Sequence, residues 1–487
     1  MYNNNSSKLF SGLSVQTIIT IILAVLELFY FSIISRLLSK TDFGYFAAAT
    51  GIMSIFTSLS EAGLGAAIIQ KKRESSEHVS TAFTLSLLLG LVFSSIVYVS
   101  AFGLAMLIAD DTLTVPIRLL SVTVLFHCLN SCGNAMLYRK FNFKRVGLNT
   151  ILSQVISYSI AIYLAIKGYG LYAVVANSVI LSIVNFILLY IFSIKVPEVK
   201  IYKKEIKGIV SFGGWLTLST LANNVMQQID KLLLPKWISV QALGAYNRPA
   251  GFLNTVSTKI NSIFDTVLFP MLSSIQDDCQ KIKSVFSRAV ELLNAFSVVL
   301  AFCIFFNAHL LIRLFFGEDW LDLTIIFQII SLNLIFNIDN RLVDCFFRSL
   351  NFVKAGFFLR CFGLLSVLFA IYIGSKHGLQ GVAIGVVTAN IVTIMLKMVF
   401  LSNKINFSAI QMCKIWISSW KSSIPLIVVG AFSPLWCNNI WFELANAFLF
   451  GIIIIVECLF FPQILGHEYC NTIYPKIKHY IKPKNDY

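Results

Sequence analysis

Two cations, Arg248 and Lys259, stand 11 residues apart within one long, mostly apolar stretch. At about 100° per residue, that spacing returns to within about 20° of its starting direction, so in a helix the two form a basic stripe on one face. Arg brings a planar fork suited to phosphate or uronate oxygens, whereas Lys brings a point charge. A charge at the centre of a membrane helix costs about 2.5 to 3.5 kcal/mol on insertion scales, which makes each one a candidate for function with a partner to be named. The competing reading is that the stripe only neutralises Asp230 one helix earlier and Glu27 in the first apolar stretch. A Glu27 to Lys259 bridge that opens when a ligand binds satisfies both readings.

Asn223, Asn224, Gln227 and Gln228 cluster in the preceding stretch. Their amides can donate and accept toward a hydroxyl-rich ligand in a wet cavity, or equally tie helices together at about 0.6 kcal/mol per bond. Glu27, Glu61 and Asp339 are the carboxylates placed to couple the chain to protons or to a membrane potential. Asp344 has Arg341 at i−3 and Arg348 at i+4, an arrangement that favours a structural ladder of ion pairs. Arg360 and Lys397 lie close enough to helix ends to snorkel toward the headgroups.

Ten cysteines are scattered with no paired spacing that would hold zinc or build a disulfide framework. Cys128 and Cys132 stand one turn apart, but His127 projects elsewhere on the helix. No metal and no cofactor is expected.

The elements that must position these residues follow from composition. A chain of 487 residues that is 57% hydrophobic and 13% charged cannot hide its apolar side chains in a water-soluble globule. A mean hydropathy of +0.79 says the same. The formal net charge of +15 would suggest nucleic acid in a soluble protein. Here the basic residues fall between apolar segments, so membrane lipids rather than nucleic acid are the expected partner. Spanning about 30 Å of hydrocarbon takes about 20 helical residues. That ruler predicts an all-α polytopic membrane protein of about fourteen helices, over residues 14–36, 43–68, 80–107, 115–138, 146–166, 171–194, 209–234, 242–272, 285–312, 322–346, 355–374, 379–402, 422–437 and 441–462. The thirteenth is short and contains Pro425 and Pro434.

Lys and Arg number 25 on the side of the termini and even-numbered connections and 8 on the other, which puts both termini in the cytoplasm. An internal echo recurs at a spacing of 200 residues: Leu38-Ser39-Lys40-Thr41-Asp42-Phe43-Gly44 against Ile238-Ser239-Val240-Gln241-Ala242-Leu243-Gly244. Another pairs Gly170-Leu171-Tyr172-Ala173-Val174 with Gly378-Leu379-Gln380-Gly381-Val382. Six helices per repeat is an even number, so the halves share one orientation. The expected organisation is an N-terminal six-helix bundle (1–194), a basic amphipathic linker on the cytoplasmic leaflet (195–208), a parallel C-terminal six-helix bundle (209–402), and a terminal helix pair with a basic tail (403–487). No connection exceeds about twenty residues, which leaves no room for an extramembrane catalytic domain.

The chain resembles the polysaccharide transporters that flip undecaprenyl-linked repeat units, specifically the Wzx-type, colanic-acid-exporter-like branch. The resemblance rests on Leu38-Ser39-Lys40-Thr41-Asp42-Phe43-Gly44-Tyr45, then Ser60-Glu61-Ala62-Gly63-Leu64-Gly65, and Tyr138-Arg139-Lys140-Phe141-Asn142-Phe143-Lys144. It continues in Leu243-Gly244-Ala245-Tyr246-Asn247-Arg248 and Phe269-Pro270-Met271-Leu272-Ser273. Pro249 departs from the family's usual Ala, and the last two helices carry no matching pattern.

The resemblance implies a non-enzymatic flippase in a bacterial cytoplasmic (inner) membrane. It would move an undecaprenyl-diphosphate-linked oligosaccharide for O-antigen, capsule or exopolysaccharide by alternating access. A polysaccharide polymerase and a chain-length regulator are the implied partners. Arg248, Lys259, Asn223, Asn224 and Gln227 are then the expected substrate contacts. Two rivals stay open: an ion-coupled drug or cation antiporter of the same superfamily, and a membrane glycosyltransferase or polymerase. The first should line its cavity with carboxylates. The second needs a sizeable outward loop, and Lys40, Asp42, Asp110 and Asp111 are too sparse to build a site there.

Overall fold

A computed structural model describes residues 2–460 apart from 62, 71–74, 109–110, 141, 275–277, 351, 406–407, 409, 411–413, 415, 419 and 432–439. Among these, every regular element is helical. A lipid-facing chain must satisfy its backbone internally, and the helix does so within each segment.

The first unit, Met1–Asn247, contains α1 (Tyr2–Leu37), α2 (Lys40–Glu61), α3 (Leu64–Gln70), α4 (Ser76–Met106), α5 (Thr114–Arg139), α6 (Phe143–Ile166), α7 (Leu171–Phe192) and α8 (Lys203–Trp237). The long helix α9 (Val240–Ser274) begins in it. Helix starts are marked by side-chain caps: Ser75 accepts from His78 N at 3.1 Å and Asn142 from Arg145 N at 3.3 Å.

At the start of α2, Ser39 and Asp42 cap reciprocally. The Asp42 carboxylate accepts from Ser39 Oγ at 2.7 Å, and the Ser39 hydroxyl accepts from Asp42 N at 3.1 Å. The other Asp42 oxygen accepts from Leu171 N at 3.0 Å. One residue of the Ser39–Asp42 motif thus ties the openings of α2 and α7, where Gly170 takes φ +47°.

The core of this unit lies between α3, α4, α5 and α7. Ile68, Cys132 and Leu189 are fully buried there, and Tyr190 donates its hydroxyl to Leu129 O at 2.7 Å. The outside is apolar, with Phe29, Val99, Phe102 and Ile166 exposed, as expected where acyl chains are the solvent.

The connection after α7 docks on α4. Tyr202 N donates to Thr81 Oγ1 at 3.0 Å, Thr84 Oγ1 donates to Lys200 O at 3.3 Å, and His78 Nδ1 meets Glu205 Oε2 at 2.7 Å.

The second unit, Arg248–Tyr487, contains the rest of α9, then α10 (Cys279–Phe306), α11 (Ala308–Phe315), α12 (Thr324–Ser349), α13 (Val353–Ser375) and α14 (Gly378–Lys404). Short and long helices over Ile424–Ala431 and Ile440–Phe460 follow. Its apolar core joins α10, α12 and α14, with Phe286 and Phe346 packed edge to face at 4.9 Å. At the start of α10, Lys281 N and the Lys281 ammonium hold the Asp278 carboxyl below its usual range.

Eleven helices among the described residues are long and apolar enough to cross a membrane; polar residues dilute α8, and the 422–437 segment is described as helix only over Ile424–Ala431. Two expectations are corrected. The helix expected over 43–68 is interrupted at Gly63, which takes φ +62°, and α3 starts at Leu64. Lys397 does not snorkel. It is 1% exposed and donates to Asn340 Oδ1 at 2.7 Å and Asp344 Oδ1 at 2.9 Å, because helix packing brings a carboxylate on α12 within ion-pair reach of the ammonium. Asp344 also faces Arg360 Nε on α13 at 3.6 Å, so both of these ion pairs cross between helices.

Candidate functional site: a polar cavity in the first unit

The break after α2 has a local cause. Ser54, Thr57, Ser58 and Ser60 each return a hydroxyl to a carbonyl three or four residues back, which weakens the preceding turns. Gly63 then takes a left-handed conformation. Broken backbone inside a membrane bundle is tolerated where it is buried in protein or lines a water-filled space. Here it lines a cavity of about 600 Å³, within the range of small-ligand sites.

Three walls form that cavity. The α2–α3 wall presents Thr57, Glu61, Gly65 and Ile69. From α5 come Thr123, His127, Asn130, Asn134 and Tyr138, at steps of 4, 3, 4 and 4 residues that keep them on one helix face. From α7 come Ser178, Leu181, Ser182 and Asn185, again on one face. Among the lining residues there is no Lys and no Arg.

Glu61 Oε1 meets His127 Nε2 at 2.8 Å. Both side chains are part-exposed, 32% and 54%, so the pair is wet and its worth to stability is about 0 to 1 kcal/mol. Asn130 is 7% exposed and donates Nδ2 to Ser182 O at 2.9 Å. That bond fixes the amide orientation, since a carbonyl only accepts, and it leaves Asn130 Oδ1 buried without a partner. Asn185 Oδ1 is likewise unpaired. Buried polar atoms are normally satisfied, so two orphan acceptors, one on the α5 wall and one on the α7 wall, call for a donor from within the cavity.

The other expected site residues lie elsewhere. Arg248 and Lys259 belong to the second unit, where both are part-buried on unbroken α9 and neither is without a partner. The continuous helix keeps them about 20° apart around its axis. Asn224 donates to Ser58 Oγ, a bond between α8 and α2, so its amide joins helices. The side chains of Asn223 and Gln227 lie outside the described residues. Glu27 is part-buried on α1 and engaged by a neighbour. Asp339 is fully buried in the second unit, and its Oδ2 accepts from Asn294 Nδ2 at 2.9 Å and Trp416 Nε1 at 2.6 Å. The structure thus brings together only Glu61 of these residues with the cavity.

His127, Asn130 and Asn185 escaped the sequence reading. The signal was present in the polar period along Thr123–Tyr138, together with an intramembrane Glu61 that required a partner.

Helices of membrane length around a polar cavity define a polytopic α-helical membrane transporter. Residues 33–325 match the model of a family described as "Polysaccharide biosynthesis protein", and the chain belongs to that family. It is 23% identical over 433 residues, 87% of each chain, to the lipopolysaccharide biosynthesis protein WzxC of Escherichia coli. It is 24% identical to the teichuronic acid biosynthesis protein TuaB of Bacillus subtilis, over 67% of this chain and 68% of that one. Its fold is that of the lipid II flippase MurJ in an inward closed conformation, with a TM-score of 0.72 over 95% of this chain and 99% of that chain at 16% identity. An inward-facing multidrug resistance MATE family transporter matches with a TM-score of 0.65 over 80% and 98%, at 15% identity.

Proposed function

We propose that this chain is a flippase carrying an undecaprenyl-diphosphate-linked oligosaccharide unit, for O-antigen, capsule or exopolysaccharide, to the outer leaflet of a bacterial cytoplasmic membrane. The observation that carries this reading is a hydroxyl- and amide-lined cavity of about 600 Å³ inside a bundle whose outside is apolar. Sugars and a diphosphate moving through hydrocarbon would lose their hydration without replacement, whereas such a cavity supplies it. The polyprenyl tail stays in lipid throughout. Two parallel six-helix halves, 1–194 and 209–402, alternate access to the two sides, with both termini cytoplasmic and the linker on the inner leaflet. Arg248 and Lys259 serve the diphosphate, while Glu61, Glu27 or Asp339 couples the cycle to an ion. A polymerase and a chain-length regulator act on the delivered unit. No covalent step on the substrate is required, so the chain is not an enzyme.

The test is deletion in a host that makes a surface glycan, with lipid-linked units assayed on each membrane face. Accumulation on the cytoplasmic face is expected; unchanged export sinks the reading. A drug or cation antiporter is the second reading. It is favoured by Glu61 in a cavity whose lining has no Lys or Arg, and by the MATE likeness. Resistance to organic cations on overexpression, without any glycan defect on deletion, would establish it.

A further inference from the structure

The cavity of the first unit differs in chemistry from the stripe on α9. Its charged lining residue is a carboxylate, with a histidine beside it at 2.8 Å. That pair sets a carboxylate against an imidazole, where α9 carries two cations. Asn130 Oδ1 and Asn185 Oδ1 add two acceptors without donors. A diphosphate or a uronate placed here would set its own acceptors against a carboxylate and two carbonyl oxygens, each left unpaired at a cost. A sugar hydroxyl does the opposite. It donates to those oxygens while its own oxygen accepts from a side-chain amide such as that of Asn134. Tyr138 and Leu181 offer apolar surface to the C–H faces of a pyranose ring.

We propose that this cavity is a recognition subsite for an uncharged sugar of the carried glycan, held by Glu61, Asn130 and Asn185. The proposal rests on the flippase reading and adds a division of labour: neutral sugar in the first unit, anionic groups on the α9 cations. It makes the cavity a filter on the glycan. A unit with an uncharged sugar at the matching position is accepted, and one with a uronate there is rejected.

The experiment uses the full chain in lipid nanodiscs and saturation-transfer NMR at millimolar ligand. The probes are chitobiose, maltose, digalacturonate, inorganic pyrophosphate and ethidium. Saturation transfer to at least one neutral disaccharide is expected, with digalacturonate bound at least about tenfold more weakly. Asn185→Leu and Asn130→Leu should each weaken neutral binding about tenfold while pyrophosphate binding stays unchanged, which shows that the fold survives. Asn185→Leu keeps the test open should Asn130→Leu fail to fold on losing its bond to Ser182 O. No transfer to either neutral sugar, equal binding of digalacturonate, or displacement of the sugar by ethidium overturns the subsite. Those outcomes leave the flippase reading standing, because that reading falls only with unchanged export in the deletion strain.

Discussion

Gly44 and Gly244, at equivalent places in the two echoed motifs, close on each other's helix. A Cβ on Gly44 would lie 1.9 Å from Val240 O, and a Cβ on Gly244 would lie 1.8 Å from Lys40 O and 2.6 Å from Gly44 N. The motifs Leu38–Gly44 and Ile238–Gly244 therefore meet, each glycine letting the backbone of the other's helix approach.

Alanine at either position must push the openings of α2 and α9 apart. Gly44→Ala and Gly244→Ala should each destabilise by about 1 to 3 kcal/mol, the usual cost of overpacking, and lower the thermal midpoint of the purified protein. Gly103→Ala is the control, since no atom lies within 4 Å of its added Cβ; it should be neutral or gain up to about 1 kcal/mol. Equal behaviour of all three would show that the close approach carries no stability.

Glu61→Gln and His127→Ala separate function from folding. The pair is part-exposed to the cavity, so the thermal midpoint should change by no more than about 1 kcal/mol allows. Export in a complemented deletion strain should fall at least about tenfold. Normal export in both variants would remove the Glu61–His127 pair from the transport cycle.

Lys397→Met leaves the Asp344 carboxylate, 15% exposed, with one strong partner fewer. Breaking a buried pair from one side costs about 3 to 5 kcal/mol, whereas replacing both partners by apolar groups is often near neutral. Unfolding of Lys397→Met, Asp344→Leu and the double variant should show most of the loss recovered in the double. Additive losses would mean that the two side chains do not depend on each other.

Arg248→Ala and Lys259→Ala should impair export while membrane insertion and yield stay intact, because each removes a cation from α9 without touching its backbone. Full export in both variants would detach the stripe from the substrate path.

Much of this architecture was legible without coordinates. Apolar length and the placement of basic residues define a polytopic helical membrane protein, because bilayer thickness and backbone satisfaction admit few alternatives. The 200-residue echo located the two glycines, whereas the interruption at Gly63 falls inside a helix that apolar length alone runs unbroken over 43–68. The pairing of intramembrane charges was not legible. Lys397 reads as a snorkelling side chain until Asp344 is seen 2.9 Å away on another helix, and His127 reads as incidental until Glu61 arrives from 66 positions earlier in the chain. Periodicity states which residues share a face, but which faces meet depends on how helices pack. That packing decided that Glu61, Asn130 and Asn185 surround one void, and that Asn224 spends its amide on Ser58.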